Sequence, residues 1–269
     1  MPKPIRKFGD SDYGQMHYRI SFATKPLKKH PLICLHQSPK SSREFIKFME
    51  IASEDRTVIA IDSPGHGESD VPQQKMNIEG FARSIWEVLS EFSFDKVDLL
   101  GHHTGAKVAT EMAYQCPDDV GGIVMVSALV LNAEEREHFK SQFQPIPLDE
   151  DGTRFQHMWA QSLKYRGPNV TLEQLAASMA ENLRAGEAYE WGHEAAFNYT
   201  ENFAQRIASL PHRITVLNPK DMLFDLTPRV GKLLQNGAVI DHPEWGFGFM
   251  ETDTEGAVKA VKNALDHTL

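Results

Sequence analysis

The chain has 269 residues, a formal net charge of −9 and two cysteines. Its ordinary hydrophobic and charged fractions allow one large core with room for an insertion. The acidic balance, without any long basic run, speaks against nucleic acid or an anionic membrane as partner. Cys34 and Cys116 lie in apolar contexts, as buried thiols do. No stretch approaches the eighteen or so apolar residues of a membrane helix, and the basic residues 1–7 lead into no apolar leader segment. A soluble, reducing, cytoplasmic setting is expected.

In chain order, strands and helices alternate. Residues 18–22 alternate like a half-buried edge strand, whereas 31–35 and 57–61 are continuous apolar runs, as parallel strands covered on both faces should be. Residues 44–49 between them form a short helix. From 78 to 92, Ile78, Phe81, Ala82, Ile85, Trp86 and Leu89 fall on one helical face. An apolar strand from Asp98 into Gly101 and a helix to about Cys116 follow, and then a strand at 122–126. Two more strands come at 213–217 and 238–240, and a last helix carries Val258, Val261 and Leu265. This alternation predicts an α/β chain with a mostly parallel sheet flanked by helices.

Residues 132–200 break the rhythm, with helix signals and no convincing strand. Asn132 with Glu135, and Thr171 with Gln174, have the spacing of capping boxes. Leu172, Leu175, Ala176, Met179 and Leu183 then make an apolar stripe, and Gly186 is a stop. The expected division is a core of residues 1–131 and 201–269 with a helical cap at 132–200, over the strand ends where open α/β sheets bind ligands. Most of its aromatic residues should pack in a core, and others, Trp159 and Trp191 among them, are candidates to line a pocket.

At the centre of the sequence an apolar strand runs into Gly101-His102-His103-Thr104-Gly105, and a small-residue helix begins at once. This is the layout of a nucleophile elbow, Gly-x-Ser-x-Gly, with His103 at the serine position. His36-Gln37-Ser38-Pro39 has the form of an oxyanion loop. Asp62-Ser63-Pro64-Gly65-His66-Gly67-Glu68-Ser69 is close to an Asp-x-x-Gly-x-Gly-x-Ser turn, and Leu217-Asn218-Pro219-Lys220-Asp221 is a strand end bearing an acid. With these landmarks in register, the chain resembles the α/β-hydrolase superfamily over nearly its whole length. The resemblance implies Asp221 as the catalytic acid and the backbone N–H groups of Ser38 and Thr104 as oxyanion donors. It also implies an α/β-hydrolase sheet of eight strands, mostly parallel and flanked by helices, and makes residues 132–200 the family's helical cap.

Two departures change the expected chemistry. Position 103 has no hydroxyl, so an acyl-serine at that atom is excluded. The second concerns the family's catalytic His, five residues before a Glu near the C-terminus. Counting back from Glu251 puts Gly246 at that position. His242 lies four residues too early and is an alternative base. The long imidazole of His103 is expected to reach Asp221, fill the volume vacated at Gly246 and work as a general base on water or substrate. His36 and His102 read as hydrogen-bonded scaffold groups that, with Gln37, Trp245 and Phe247, border the pocket. No metal and no cofactor is expected, because the histidines lack a His-Glu-x-x-His pattern. Two functions stay open. One is a cofactor-independent enzyme acting on a small apolar carbonyl compound such as an ester, a lactone or an activated C–C bond. The other is a non-catalytic relative that binds a small ligand or a protein partner in the capped pocket.

Overall fold

The computed structural model describes residues 3–25 and 29–266. Eight strands form one sheet: β1 (Ile5–Ser11), β2 (Gly14–Ser21), β3 (Leu32–Leu35), β4 (Val58–Ile61), β5 (Val97–His102), β6 (Val120–Val126), β7 (Ile214–Pro219) and β8 (Gly237–His242). Their spatial order is β1-β2-β4-β3-β5-β6-β7-β8. The β1–β2 hairpin is antiparallel to β4, and every pairing from β4 to β8 is parallel. The helices are α1 (Ile46–Ala52), α2 (Ile78–Leu89), α3 (Thr104–Gln115), α4 (Ala133–Gln142), α5 (Thr153–Lys164), α6 (Leu172–Leu183), α7 (Trp191–Asn198), α8 (Thr200–Ser209), α9 (Phe249–Thr252) and α10 (Thr254–Asp266). The mostly parallel sheet read from the alternation is therefore present, with the eight strands that the resemblance implies.

Helices cover both faces, as buried apolar strands require. One face packs under Ile78, Phe81 and Ile85 of α2, Ala109 and Met112 of α3, and Phe203 and Ile207 of α8. The other packs under Phe48 and Met49 of α1 and Val258 and Val261 of α10. Asn77 starts α2 by accepting a hydrogen bond from the Gly80 N–H at 2.8 Å.

The strand at 18–22 is not an edge. It belongs to β2, which is buried almost throughout, and the edge is β1, whose charged residues concealed it in the sequence. The polar positions of β2 are internal because they have partners. His17 Nδ1 lies 2.8 Å from Asp62 Oδ2 at the end of β4. Asp62 also accepts from the Ser42 and Glu68 N–H groups at 2.6 and 2.9 Å. Burial pushes this carboxyl up, but His17, His36 and the backbone donors prevail and hold it down at about 2. A Cβ at Gly67, where φ is +59°, would collide with the same carboxylate, so the turn after β4 closes on Asp62.

Between β6 and β7 the described residues form helices α4 to α8 and no strand. Asn132 and Thr171 each cap a helix with a reciprocal box, to Glu135 and Gln174. The stripe on α6 is buried only at Leu175, while Leu172 and Leu183 are exposed. The amphipathic spacing marks the helix correctly but overstates its packing, because α6 borders a cavity rather than a filled core.

Candidate active site

β5 lies mid-sheet and ends at His102, and α3 begins two residues later. His103 makes the turn with φ +48° and ψ −107°, a strained backbone for a residue with a Cβ. A Cβ at Gly101 would collide with the Gly105 carbonyl, and one at Gly105 with the Leu35 carbonyl of β3. Both glycines are thus required for strand, turn and helix to pack this closely.

The turn delivers His103 to the strand end after β7. His103 Nε2 lies 2.8 Å from Asp221 Oδ2. The same oxygen accepts the Ser127 hydroxyl at 2.6 Å, and Asp221 Oδ1 accepts the Leu223 N–H at 2.7 Å. The Asp221 side chain is 1% exposed and that of His103 15%. Burial raises the Asp221 carboxyl, yet the charge and hydrogen bond of His103, with the other donors, bring it below its ordinary value. An ionised carboxylate only accepts, so Nε2 carries the proton and Nδ1 is left as the basic atom of the ring.

His103 borders a cavity of about 1370 Å³ between the strand ends and the inserted helices. Leu129, Phe139, Phe143, Met158, Leu175 and Phe197 give it an apolar wall. Ser38 and Thr104 border it on the side of the turn. Thr104 is the first residue of α3, so its N–H has no acceptor within the helix.

Residues 30–222 match the family described as alpha/beta hydrolase fold. The chain belongs to that family. An uncharacterised protein of Mycobacterium tuberculosis is 39% identical over 72 residues, 27% of this chain and 21% of that protein. The match therefore spans only about a fifth of that relative's length. A soluble epoxide hydrolase of Corynebacterium sp. (strain C12) is 25% identical over 248 residues, 82% of this chain and 86% of its own. Among solved structures, the epoxide hydrolase CorEH superposes with a TM-score of 0.74 at 19% identity, over 99% of this chain and all of that one. An esterase from Exiguobacterium antarcticum does so at 0.77 and 15%, over 94% and 96% of the two chains. At these identities the structural likeness is one of fold.

At Gly246, where the α/β-hydrolase pattern has its histidine, the inserted loop leaves little room for a side chain. A Cβ at Gly246 would lie 2.8 Å from Pro168 Cδ and 3.3 Å from Gly167 Cα. A Cβ at Gly167 would in turn collide with the Phe247 backbone. The loop between α5 and α6 thus crowds the Cβ position at Gly246, while His103 reaches Asp221 from the turn. His242 stays away from the dyad. Its ring stacks on Trp245 at 3.9 Å, and its Nδ1 lies 2.8 Å from Glu244 Oε1.

His36 is a scaffold group: Nδ1 donates to the Gln37 carbonyl at 2.8 Å, and Nε2 accepts the Ser63 N–H at 2.9 Å. Of the candidate pocket residues, Gln37, His102 and Phe247 border the cavity. His36, Trp159, Trp191 and Trp245 do not. Trp245 is buried against Phe249 instead, with Nε1 donating to Asp253 at 2.8 Å.

Three contributors escaped the sequence reading. Ser127, at φ +56°, follows β6 directly, and the β5–β6 register, which pairs His102 with Val126, places it beside the turn. Glu44 is hydrogen-bonded to His102 Nδ1. Burial raises the Glu44 carboxyl, but His102 beside it brings the balance below the ordinary value. Lys107, one turn into α3, also borders the cavity. His102, His103 and Asp221 bring metal-ligand atoms within 4.8 Å of one another. Each already has a protein partner, Glu44 for His102 and the Asp221–His103 bond for the other two.

Proposed function

We propose that the protein is a cofactor-independent hydrolase of small apolar carbonyl compounds, an ester, a lactone or an activated C–C bond, working through a His103–Asp221 general base. The observation that carries this reading is the 2.8 Å contact between His103 Nε2 and a buried, ionised Asp221 at the turn where the family presents its nucleophile. Water bound at His103 gives a proton to Nδ1 as its oxygen attacks the carbonyl carbon. Asp221 stabilises the imidazolium, and the Ser38 and Thr104 N–H groups receive the oxyanion. The imidazolium then returns the proton to the leaving oxygen or carbon, and no acyl-enzyme forms. Residues 132–200 act as the cap over a core of 1–131 and 201–269, shielding the reaction from bulk water.

The test uses p-nitrophenyl acetate and a γ-lactone with the full chain and His103→Ala. Turnover without a burst, lowered about a hundredfold or more by the substitution, is expected. Unchanged turnover after exhaustive EDTA treatment is the second expectation. A burst, or a phosphonate adduct on Ser38 or Ser127, defeats the mechanism. Ligand binding without turnover of any ester, lactone or C–C substrate favours the non-catalytic reading, to which the missing hydroxyl at position 103 lends weight.

A further inference from the structure

Lys107 is 3% exposed, yet it borders the cavity. Its Nζ donates to the Ala196 carbonyl of α7 at 2.6 Å and to Thr200 Oγ1 of α8 at 3.3 Å, and it sits 5.5 Å from the centre of the Phe203 ring. All these partners are neutral, and they use two of the three N–H donors of an ammonium. The charged groups around it are engaged elsewhere. Glu111, one turn further along α3, holds Tyr199 Oη at 2.6 Å and pairs with Arg206 of α8. Glu190, beside α7, lies 2.8 Å from His193 Nδ1. His103 is bonded to Asp221. A buried cation without a counter-charge is costly, and burial alone lowers the Lys107 amine to about 7.

A cavity wall that holds such a group lacks only an anion, which a ligand in the cavity is placed to supply. We propose that Lys107 is the anion subsite of this cavity and takes the carboxylate of a substrate whose reacting carbonyl lies at His103. The inference rests on the reading of His103 as the base and adds the substrate class: an apolar carbonyl compound carrying one carboxylate. Lys107 lies four residues after His103 and three residues into α3, about 4.5 Å of helical rise beyond Thr104. Its partner Ala196 borders the same cavity. The spacing suits a carboxylate a few bonds from the carbonyl, with the apolar body against Leu129, Phe143 and Phe197.

Calorimetry of phenylacetate and octanoate against their neutral amides tests the subsite without relying on turnover. The full chain should bind the carboxylates about tenfold or more tighter than the amides at about pH 6. At about pH 8.5 carboxylate binding should take up about one proton, seen by changing the buffer, because the anion restores the ammonium. Lys107→Met should abolish the carboxylate preference, and His103→Ala should keep it. Should Lys107→Met fail to fold, proton uptake by the unsubstituted protein, together with the His103→Ala preference, decides the question. Equal affinity for acid and amide, or a preference lost with His103→Ala, overturns the subsite; the latter places the anion on the dyad. Loss of the base reading alone, with His103→Ala as active as the parent, leaves the binding result standing.

Discussion

At the scale of single residues, the site turns on one carboxylate oxygen. Asp221 Oδ2 receives both the His103 ring and the Ser127 hydroxyl. Ser127 holds its own backbone at a positive φ in a fully buried position. Such strain persists only where the surroundings over-determine it. The two donors fix the carboxylate plane and, through it, the orientation of the imidazole. Ser127 is a positioning residue under this reading. Ser127→Ala removes a donor that lowers the Asp221 carboxyl, so that carboxyl must rise. We expect kcat about tenfold lower, KM nearly unchanged, and the acid limb of the pH–rate profile displaced upward. Ser127→Thr, which keeps the hydroxyl, should recover part of the rate. An alanine variant that loses rate with an unmoved acid limb would show that Ser127 acts only on the fold.

Among the elements, what the sequence disclosed and what it hid divide along a physical line. Gly101 and Gly105 are legible because a tight strand–turn–helix crossing leaves no space for a Cβ, and that demand falls on fixed positions of one segment. The capping boxes of α4 and α6 are legible for the same local reason. Ser127, Glu44 and Lys107 owe their roles to register and packing between distant segments, which no local pattern encodes. The space beside Gly246 is the sharpest case. The paired change, a large residue at 103 and none at 246, suggested one side chain filling the gap of another. The α5–α6 loop crowds the Cβ position there through Gly167 and Pro168. Restoring the family's histidine there should therefore fail. Gly246→His forces the loop out and should cost about 1–3 kcal/mol in urea unfolding. The double variant His103→Ser with Gly246→His should show no serine-esterase burst. A double variant with stoichiometric phosphonate labelling of residue 103 would mean that the loop yields readily and the assigned packing is wrong.

For the molecule as a whole, the buried ionisable groups set how stability follows pH. His66 lies 1% exposed in the turn after β4, with Nδ1 donating to the Pro64 carbonyl at 3.1 Å. Its Nε2 is buried with no hydrogen-bond partner among the described residues. Burial lowers this imidazole to about 3, with a further push from His36 and His193 that the Pro64 carbonyl and Asp62 only partly offset. The unfolded chain binds the proton near 6.5. Between these values the unfolded state holds one more proton, so stability falls as pH drops, by about 1.4 kcal/mol per pH unit from this group alone. Asp62, held at about 2, adds its own loss as the pH falls from the ordinary carboxylate value of 3.8 toward 2. The two windows overlap between about pH 3 and 4, and above about pH 4 His66 acts without Asp62. Unfolding free energies measured in urea from about pH 7 to about pH 3 should fall well before the carboxylates titrate. In His66→Leu the slope above about pH 4 should shrink by close to one proton, and the steeper fall below it should remain. The comparison rests on slopes, which count protons, so any overall destabilisation by the substitution cancels. Equal slopes in the two proteins above about pH 4 would mean that His66 accepts its proton in the folded state, and that the turn after β4 opens to admit it.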